Sequence, residues 1–294
     1  MDIGGTGIQL GIVDGEGQIL SLVSIPTASD SETLIGSIIK AARPLIDIHR
    51  PRAVGIGSAG RIDRTNGTVL RAGNLPFKNE PLCRKLSDAL GLPAVIDNDA
   101  NCALIAEAKA GACADHLDAL MVTIGTGIGG AILIGGQIYR AHNFRAGEVG
   151  HFIYDRSGKP CPCGLHGCFE QYASATALIE AATSAADEHP DSLLSASRPL
   201  NGKTIFKAAA DGCPVANEVF DRYAATLADG LNSLVKIFMP TCIVLGGGIA
   251  NAGEALLSRL TPHLLPEAVI RTSTLGGNAG VIGAAFLAMD SLSR

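Results

Sequence analysis

The chain has 294 residues, of which 47% are hydrophobic and 17% are charged, a composition typical of a globular protein large enough for two lobes. Its 23 basic and 28 acidic residues give a net charge of −5, and aromatic residues make up only 4%, which argues against a nucleic-acid binder. We find neither an apolar run that could span a membrane nor a signal-peptide pattern after Met1, and we therefore expect a cytoplasmic protein without a membrane partner.

Strand and helix patterns alternate through the first part of the chain. Hydrophobic spacing predicts helices and glycine turns mark their ends, with Gly91 as a natural helix stop. The predicted strands span 10–13, 18–25, 52–57 and 93–96, and the predicted helices span 32–49, 81–90 and 100–110.

The pattern then restarts, with strands predicted at 119–124, 130–134 and 241–245 and a last helix at 280–291. Strand–glycine turn–strand openings at Asp2 and at Thr123 indicate two related halves. This alternation predicts an α/β fold. We expect two lobes, residues 1–115 and 116–280, with a cleft between them and with the C-terminal helix 281–294 packed on the first lobe.

Three glycine-rich loops stand at the ends of predicted strands. Glycines there let backbone N–H groups reach phosphate oxygens without a Cβ in the way. An aspartate in the first loop can hold Mg²⁺ directly or through water. For any single loop the alternative is an ordinary turn, and none is followed by the Lys-Ser/Thr of a P-loop. The predicted nucleotide-binding residues are Asp2 (also the magnesium ligand), Gly4, Gly5, Thr6, Gly7, Thr126, Gly127, Gly246, Gly247 and Gly248.

The run Asp97-Asn98-Asp99-Ala100-Asn101 joins a predicted strand to a predicted helix. A carboxylate at this junction could take the proton from an attacking hydroxyl. Phosphoryl transfer otherwise needs positioning and charge neutralisation, so one base and Mg²⁺ are sufficient chemistry. The alternative is that these side chains only cap the helix.

Four ligands are spaced as His-x9-Cys-x-Cys-x4-Cys: His151, Cys161, Cys163 and Cys168. Three thiolates and one imidazole form a closed set for a structural zinc ion. We expect the other five cysteines to be small buried residues rather than disulfides.

Glu148 and Glu170 flank this predicted metal loop. A zinc-stabilised loop can fix two carboxylates toward one side, and paired acceptors suit the hydroxyls of a sugar that must be held in one orientation. The alternative for either glutamate is a solvated surface charge.

Taken together, these motifs resemble the ROK family, which groups repressors, open reading frames and sugar kinases. The matching segments, in family order along nearly the whole chain, are 2–6, 97–102, 124–130, 148–151, 161–170 and 244–248. The resemblance implies a two-lobed actin-like (ribonuclease H-like) ATPase-domain fold and an enzyme that uses ATP, Mg²⁺ and a structural Zn²⁺. It also implies that Asp99 is the general base, and that Asn98, Glu148, His151 and Glu170 bind the sugar, in a protein that forms a homodimer.

The sequence departs from the family pattern at its start. Only Met1 precedes Asp2, and Gly7 stands where members often carry a lysine, so we expect a shortened first strand. A sugar-responsive repressor of the family is the alternative from another class; it would carry a helix-turn-helix segment before the first loop, and with only Met1 before Asp2 and an acidic net charge we expect the kinase instead. A zinc-stabilised sugar-binding protein without catalysis would be favoured only if Asp99 were replaced.

The choice of sugar rests on the turn Ser58-Ala59-Gly60-Arg61 and on the Asp-Asn-Asp pattern at 97–99. Both are more similar to N-acetylmannosamine kinases than to typical glucokinases. Arg61 carries only donors and could bond an N-acetyl carbonyl; the alternative is an exposed loop arginine. With Gly60, Arg61 and Asn74 added to the sugar site, we predict N-acetylmannosamine as the first substrate, phosphorylated on its 6-hydroxyl, and leave glucose and N-acetylglucosamine as alternatives.

Overall fold

Strands alternate with helices through the computed structural model of the chain, which describes residues 1–293. The strands are β1 Asp2–Ile3, β2 Gly7–Val13, β3 Ile19–Pro26, β4 Val54–Ser58, β5 Arg61–Asp63, β6 Thr68–Arg71, β7 Lys78–Glu80, β8 Ala94–Asn98, β9 Ala119–Ile124, β10 Ile128–Ile134, β11 Gln137–Ile138, β12 Cys242–Gly246 and β13 Ile270–Thr272. The helices are α1 Ser31–His49, α2 Leu82–Leu90, α3 Asp99–Ala110, α4 Glu170–Ala173, α5 Ala175–Glu188, α6 Leu193–Ala196, α7 Gly202–Ala210, α8 Pro214–Phe238, α9 Gly247–Ala250, α10 Glu254–Leu260 and α11 Ala279–Leu292.

The described chain divides into two units. The first contains residues 1–117, 131–147 and 274–293, and the second contains 118–130 and 148–273. The segment 131–147 belongs to the first unit although it follows 118–130 of the second in the chain. The alternating pattern confirms the predicted α/β class. None of the helices in the described residues is long and apolar enough to cross a membrane.

The first unit is built on a five-stranded sheet in the order β3-β2-β1-β4-β8. The short β1 pairs antiparallel with β2 and parallel with β4, which in turn runs parallel to β8. Helix α11 packs on β4, β8 and α3. Helix α1 packs on β2 and β3, and it forms because Asp30 caps the Thr33 amide at 2.8 Å and a helical stripe from Leu34 to Leu45 is buried.

A second, three-stranded sheet of the first unit, in the order β5-β6-β7, is absent from the predicted elements. Its strands are only three or four residues long and carry polar residues, so they lack a recognisable alternation. Arg61, predicted as the last residue of the turn 58–61, begins β5 and lies opposite Arg71 of β6.

In the second unit β12 lies between β9 and β13, and both pairs are parallel. The 25-residue helix α8 begins at Pro214, a favourable first helical position, and packs against α5, α7 and α10. The alanine-rich helices between 175 and 238 were not predicted. The predicted strand starting at Thr241 begins one residue later, at Cys242, and leads into the glycines of 246–248.

Candidate active site

The loop after β1 closes as a tight turn at the end of the sheet. The amide of Gly4 donates to the carbonyl of Gly7 at 3.1 Å, and the Thr27 hydroxyl donates to the Gly4 carbonyl at 2.7 Å. Thr6 and Gly7 are exposed at its tip. The loop therefore presents backbone and the Thr6 hydroxyl to solvent, as a phosphate-binding loop must.

Gly5 lies against Asn74, 69 positions further along the chain. A Cβ on Gly5 would stand 2.6 Å from the Asn74 amide nitrogen, so any larger residue would push Asn74 away. The structure thus brings together, within the first unit, a residue predicted to bind the nucleotide and a residue predicted to bind the sugar.

Asp2 begins the two-residue strand β1 and is half-buried, and its carboxylate lies against Gly280 of α11. Burial and, to a lesser extent, the negative charge of Asp99 raise the pKa of Asp2 to about 6, although the N-terminal ammonium partly opposes them. The two carboxylates therefore repel each other, and a cation beside Asp2 would relieve that repulsion.

The segment predicted to hold the base spans the end of β8 and the start of α3. Asn98 is the N-cap, since its side-chain oxygen accepts the Ala100 amide at 2.9 Å. Asp99 is the first helical residue and is half-buried, and its carboxylate also accepts from the Ala100 amide at 2.9 Å. Capping, the alternative explanation of this motif, is therefore supplied mainly by Asn98.

The carboxylate of Asp97 anchors this segment. The sequence analysis placed Asp97 in the motif but did not predict this role. The side chain is buried, with 3% of the residue exposed, and one oxygen accepts the Asn101 amide at 2.8 Å. The other oxygen bonds both Nε and Nη2 of Arg140 at 2.7 Å, and Arg64 lies 3.6 Å away. A buried carboxylate with two guanidinium partners is satisfied and holds the start of α3 in place.

Gly60 and Asn98 are also brought together, because the Asn98 amide donates to the Gly60 carbonyl at 3.3 Å. Gly60 has a φ of +105°, and a Cβ there would lie 2.5 Å from the Arg71 carbonyl, so the position requires glycine. Arg61 follows with an exposed side chain.

In the second unit the loop Gly125–Gly127 and Glu170 form one cluster. The Glu170 carboxylate accepts the Ile128 amide at 2.8 Å and lies so close to Gly127 that a Cβ there would collide with it. The Gly125 carbonyl accepts the Ala175 amide at 2.9 Å, which ties the loop to the start of α5. The sequence analysis assigned this loop to the nucleotide and Glu170 to the sugar, and it did not predict their contact.

Glu148 and His151 lie on one short turn. The Glu148 carboxylate is 64% exposed and stands 4.0 Å from Nε2 of His151. Nδ1 of the same ring is 3.7 Å from the Cys161 sulfur. The ring thus offers one nitrogen to the cysteine cluster and the other to the side of Glu148.

Ligand atoms of His151, Cys161, Cys163 and Cys168 lie within 4.8 Å of one another. The turn that gathers them requires glycine at two places: Gly164 has a φ of +98°, and Gly167, with a φ of +71°, packs against the Asp155 carbonyl. Three sulfurs and one imidazole nitrogen match the donor set of a structural zinc site, so these residues could hold one metal ion. All eight cysteines are free thiols.

The third glycine loop begins at the end of β12. Gly247 has a φ of +81°, and a Cβ there would meet the Ile124 carbonyl at 2.5 Å, so this residue must be glycine. Gly248 is exposed with open space around it. The loop thus lies directly beside the end of β9, within the same unit as Thr126 and Gly127.

A family model described as the ROK family matches residues 1–291. A glucokinase of Streptomyces coelicolor is 37% identical over 306 aligned residues, covering 99% of this chain and 96% of its own length. The crystal structure of a ROK family glucokinase from Streptomyces griseus, in complex with glucose and AMPPNP, is 38% identical and covers 98% of each chain with a TM-score of 0.88. A candidate N-acetylmannosamine kinase from Listeria monocytogenes is 28% identical, with a TM-score of 0.81 over 97% of this chain and 96% of its own.

Proposed function

The chain belongs to the ROK family and is an ATP-dependent hexose kinase, and from this premise we propose that it transfers the γ-phosphate of ATP to the 6-hydroxyl of glucose. The observation that carries the proposal is full-length similarity, at 37–38% identity, to glucokinases, one of them in a complex with glucose and AMPPNP. The similarity to an N-acetylmannosamine kinase is weaker, at 28%.

Asp99 is the proposed general base. In the reaction its carboxylate takes the proton of the 6-hydroxyl while the oxygen forms a bond to the γ-phosphorus and the bond to the β-phosphate oxygen breaks, leaving ADP. Asp99 suits this role because it is half-buried at a helix start that the Asp97–Arg140 ion pair holds in place. Asn98, Gly60 and Asn74 bind the sugar beside it in this proposal.

Glu148, His151 and Glu170 are the proposed partners of the sugar hydroxyls on the second unit. The His151 ring would use Nδ1 for the metal and Nε2 for the sugar, in keeping with the 3.7 Å and 4.0 Å distances to Cys161 and Glu148. A zinc ion held by His151 and the three cysteines would supply no chemistry of its own; it would fix the turn that carries these side chains.

The nucleotide is proposed to bind at the three glycine loops. Gly4 to Gly7 and Thr126-Gly127 would meet its phosphates, and Gly246 to Gly248 its adenosine. Mg²⁺, which neutralises charge on the phosphates when bound, would be held at Asp2, whose repulsion by Asp99 favours a cation there.

N-acetylmannosamine is kept as a second candidate because of Arg61. Its exposed guanidinium follows Gly60, and the Gly60 carbonyl is bonded to Asn98, so an N-acetyl carbonyl could be bonded close to the proposed sugar residues. This preference stays a prediction.

A comparison of kcat/KM for glucose, N-acetylmannosamine, N-acetylglucosamine and fructose, with ADP release as the readout, tests the proposal. We expect glucose to exceed N-acetylmannosamine by tenfold or more, about 1.4 kcal/mol in transition-state binding. Arg61→Ala should then leave the glucose value nearly unchanged. A tenfold preference for N-acetylmannosamine that Arg61→Ala abolishes would replace glucose by the second candidate.

The enzyme is further proposed to be a cytoplasmic homodimer. Three consecutive apolar residues at the end of α8 are exposed, Ile237 at 64%, Phe238 at 38% and Met239 at 62%, which is uncommon unless another surface covers them. Light scattering at working concentration should give twice the mass of the 30.1 kDa chain, and a monomer would remove this part of the proposal.

A further inference from the structure

The last rung of the three-stranded sheet consists of basic residues only. Arg61 of β5 lies directly opposite Arg71 of β6, and Arg71 lies directly opposite Lys78 of β7. Side chains of directly opposite residues point to the same face of a sheet, with Cβ atoms about 5 Å apart. All three residues are exposed. We call these three residues the basic row.

The basic row is not neutralised by the carboxylates of the described chain. Within residues 1–293, none of its three side chains enters an ion pair. The two acidic side chains of the same sheet are engaged elsewhere. Asp63 accepts the backbone amide of Asn66 at 3.1 Å and its Nδ2 at 2.8 Å, and Glu80 pairs with Lys85 at 2.7 Å.

The charges of the basic row oppose the pairing of the strands that carry them. Like charges directly opposite each other destabilise an antiparallel pair. The three strands have only three or four residues each, and the neighbouring rung holds them to the core through buried Ile62 and Val69. An anion bound between the cations would relieve the repulsion. The basic row is therefore arranged for an anionic ligand.

Phosphate is the anion that this arrangement favours. Each of the two neighbouring guanidinium groups can donate two parallel hydrogen bonds to oxygens of one phosphate group. A phosphate monoester carries about two negative charges at neutral pH, which balances most of the charge of the basic row. The row spans about 10 Å across its three strands, so it is too short for the many phosphate contacts that hold a nucleic acid.

The basic row begins next to residues that we propose to bind the sugar. Arg61 follows Gly60 in the chain, and the Gly60 carbonyl accepts the Asn98 side-chain amide at 3.3 Å. Gly60 also lies against β6, since a Cβ there would stand 2.5 Å from the Arg71 carbonyl. A ligand whose sugar ring contacts Gly60 and Asn98 can therefore carry a phosphate group that reaches the basic row.

We propose that the basic row binds the phosphate group of a sugar phosphate whose ring occupies the proposed sugar site. This inference rests on the proposed function, which places the sugar at Gly60 and Asn98. The phosphate must be on a carbon other than C6, because the 6-hydroxyl is the acceptor in the proposed reaction. A hexose 1-phosphate meets this condition, and glucose 1-phosphate is the matching probe.

Calorimetry on the full chain without ATP compares glucose 1-phosphate with glucose. The wild type should bind glucose 1-phosphate about tenfold or more tightly, since the phosphate adds charge-assisted hydrogen bonds. The double variant Arg71→Gln with Lys78→Gln should bind both sugars equally well, with the Kd for glucose unchanged. Its Tm should not fall, because the substitutions remove opposed like charges from exposed positions.

Lys40→Gln with Arg52→Gln is the matched control. It also removes one lysine and one arginine charge from exposed positions of the first unit that form no ion pair in the part of the chain that the structure describes. This control should keep the preference for glucose 1-phosphate. Equal affinity of the wild type for both sugars, or an equal loss of preference in the control, would overturn the proposal.

Competition separates a sugar phosphate from free phosphate as the ligand. Glucose should displace glucose 1-phosphate, and inorganic phosphate and pyrophosphate should bind more weakly than the sugar phosphate. Binding of glucose 1-phosphate that glucose does not reduce would show a site for free anions and would overturn the proposal. ADP release with glucose is measured on the same preparation. Its absence would count against the proposed function, whereas normal release with equal affinity for both sugars would count against the basic row alone.

Discussion

The two units hold their candidate site carboxylates in different ways. In the first, the segment 97–101 is fixed by a buried carboxylate with two arginine partners, contacts that the polypeptide supplies by itself. In the second, Glu148 is 64% exposed and the side chains next to it converge on a cysteine cluster whose member Cys163 is exposed. The first arrangement is held by contacts within the chain, whereas the second presents a donor set that one metal ion could join.

The variant Asp99→Asn tests the proposed general base of the first unit. The asparagine keeps the shape of the side chain but removes its basicity, so kcat should fall by about 10²–10⁴-fold while the sugar KM changes little. Asp30→Asn, at the N-cap of α1, is the matched control and should leave kcat unchanged, because asparagine caps as well as aspartate. Near-normal kcat in Asp99→Asn would remove Asp99 from the mechanism.

The variant Arg140→Met tests the ion pair with Asp97 that holds the segment 97–101 in place. It leaves Asp97 buried with only the more distant Arg64 as a charged partner, and we expect a loss of about 3 kcal/mol in the free energy of unfolding. Arg84→Met, which breaks an exposed ion pair with Asp88 on α2, should cost less than about 0.5 kcal/mol.

Denaturant titration of both variants gives the two values. The double variant Asp97→Asn with Arg140→Met should lose less than the sum of the single changes, because the two residues act as a pair. Additive losses would mean that the ion pair does not hold the segment.

The second unit is tested by Cys163→Ser. Because Cys163 is exposed, serine should cost almost nothing in packing, so any large effect reports the metal. We expect about one zinc per wild-type chain. In Cys163→Ser the affinity for zinc should fall by more than ~100-fold, which is the largest loss typical of removing a residue that only hydrogen-bonds a metal ligand. Metal analysis after dialysis is the measurement. Cys83→Ser, a buried thiol outside the cluster, should retain its zinc, and full zinc content in Cys163→Ser would refute the ligand set.

The smallest expected effect concerns pH. Since the pKa of Asp2 is raised to about 6, its contribution to stability is fully present below its ordinary pKa near 3.8 and is lost as pH rises through about 6. Asp2→Asn should therefore gain stability relative to wild type as pH rises from 4 to 8, and the difference in Tm between the two proteins should grow over that range. The gain should shrink in an Asp99→Asn background, which lacks the repelling charge, and a gain independent of pH would contradict this assignment.

Sequence patterns predicted well those elements whose signals are local. Gly91 marks the end of α2, as predicted, and the spacing of His151 and the three cysteines predicted a cluster that the structure does bring together. Asn98 and Asp99 could also be placed at a helix start, because the motif stands directly between a strand and a helix.

Contacts between distant positions could not be predicted in this way. Arg140 reaches Asp97 across 43 positions, and Gly5 meets Asn74 across 69, and neither pair has a spacing that a period would reveal. The strands β5 to β7 are too short to show alternation, and the alanine-rich helices from α5 to α8 have few large apolar residues to mark a stripe. Tertiary packing, rather than local propensity, decides these regions.

The account depends most directly on the product formed by the purified enzyme. Phosphorus NMR of wild-type protein with ATP, Mg²⁺ and glucose should show the signal of a 6-phosphate growing together with ADP. The same concentration of Asp99→Asn, shown by calorimetry to bind glucose as the wild type does, should form about 10²–10⁴ times less product in the same time. A phosphate on another hydroxyl, or equal product from Asp99→Asn, would contradict the account.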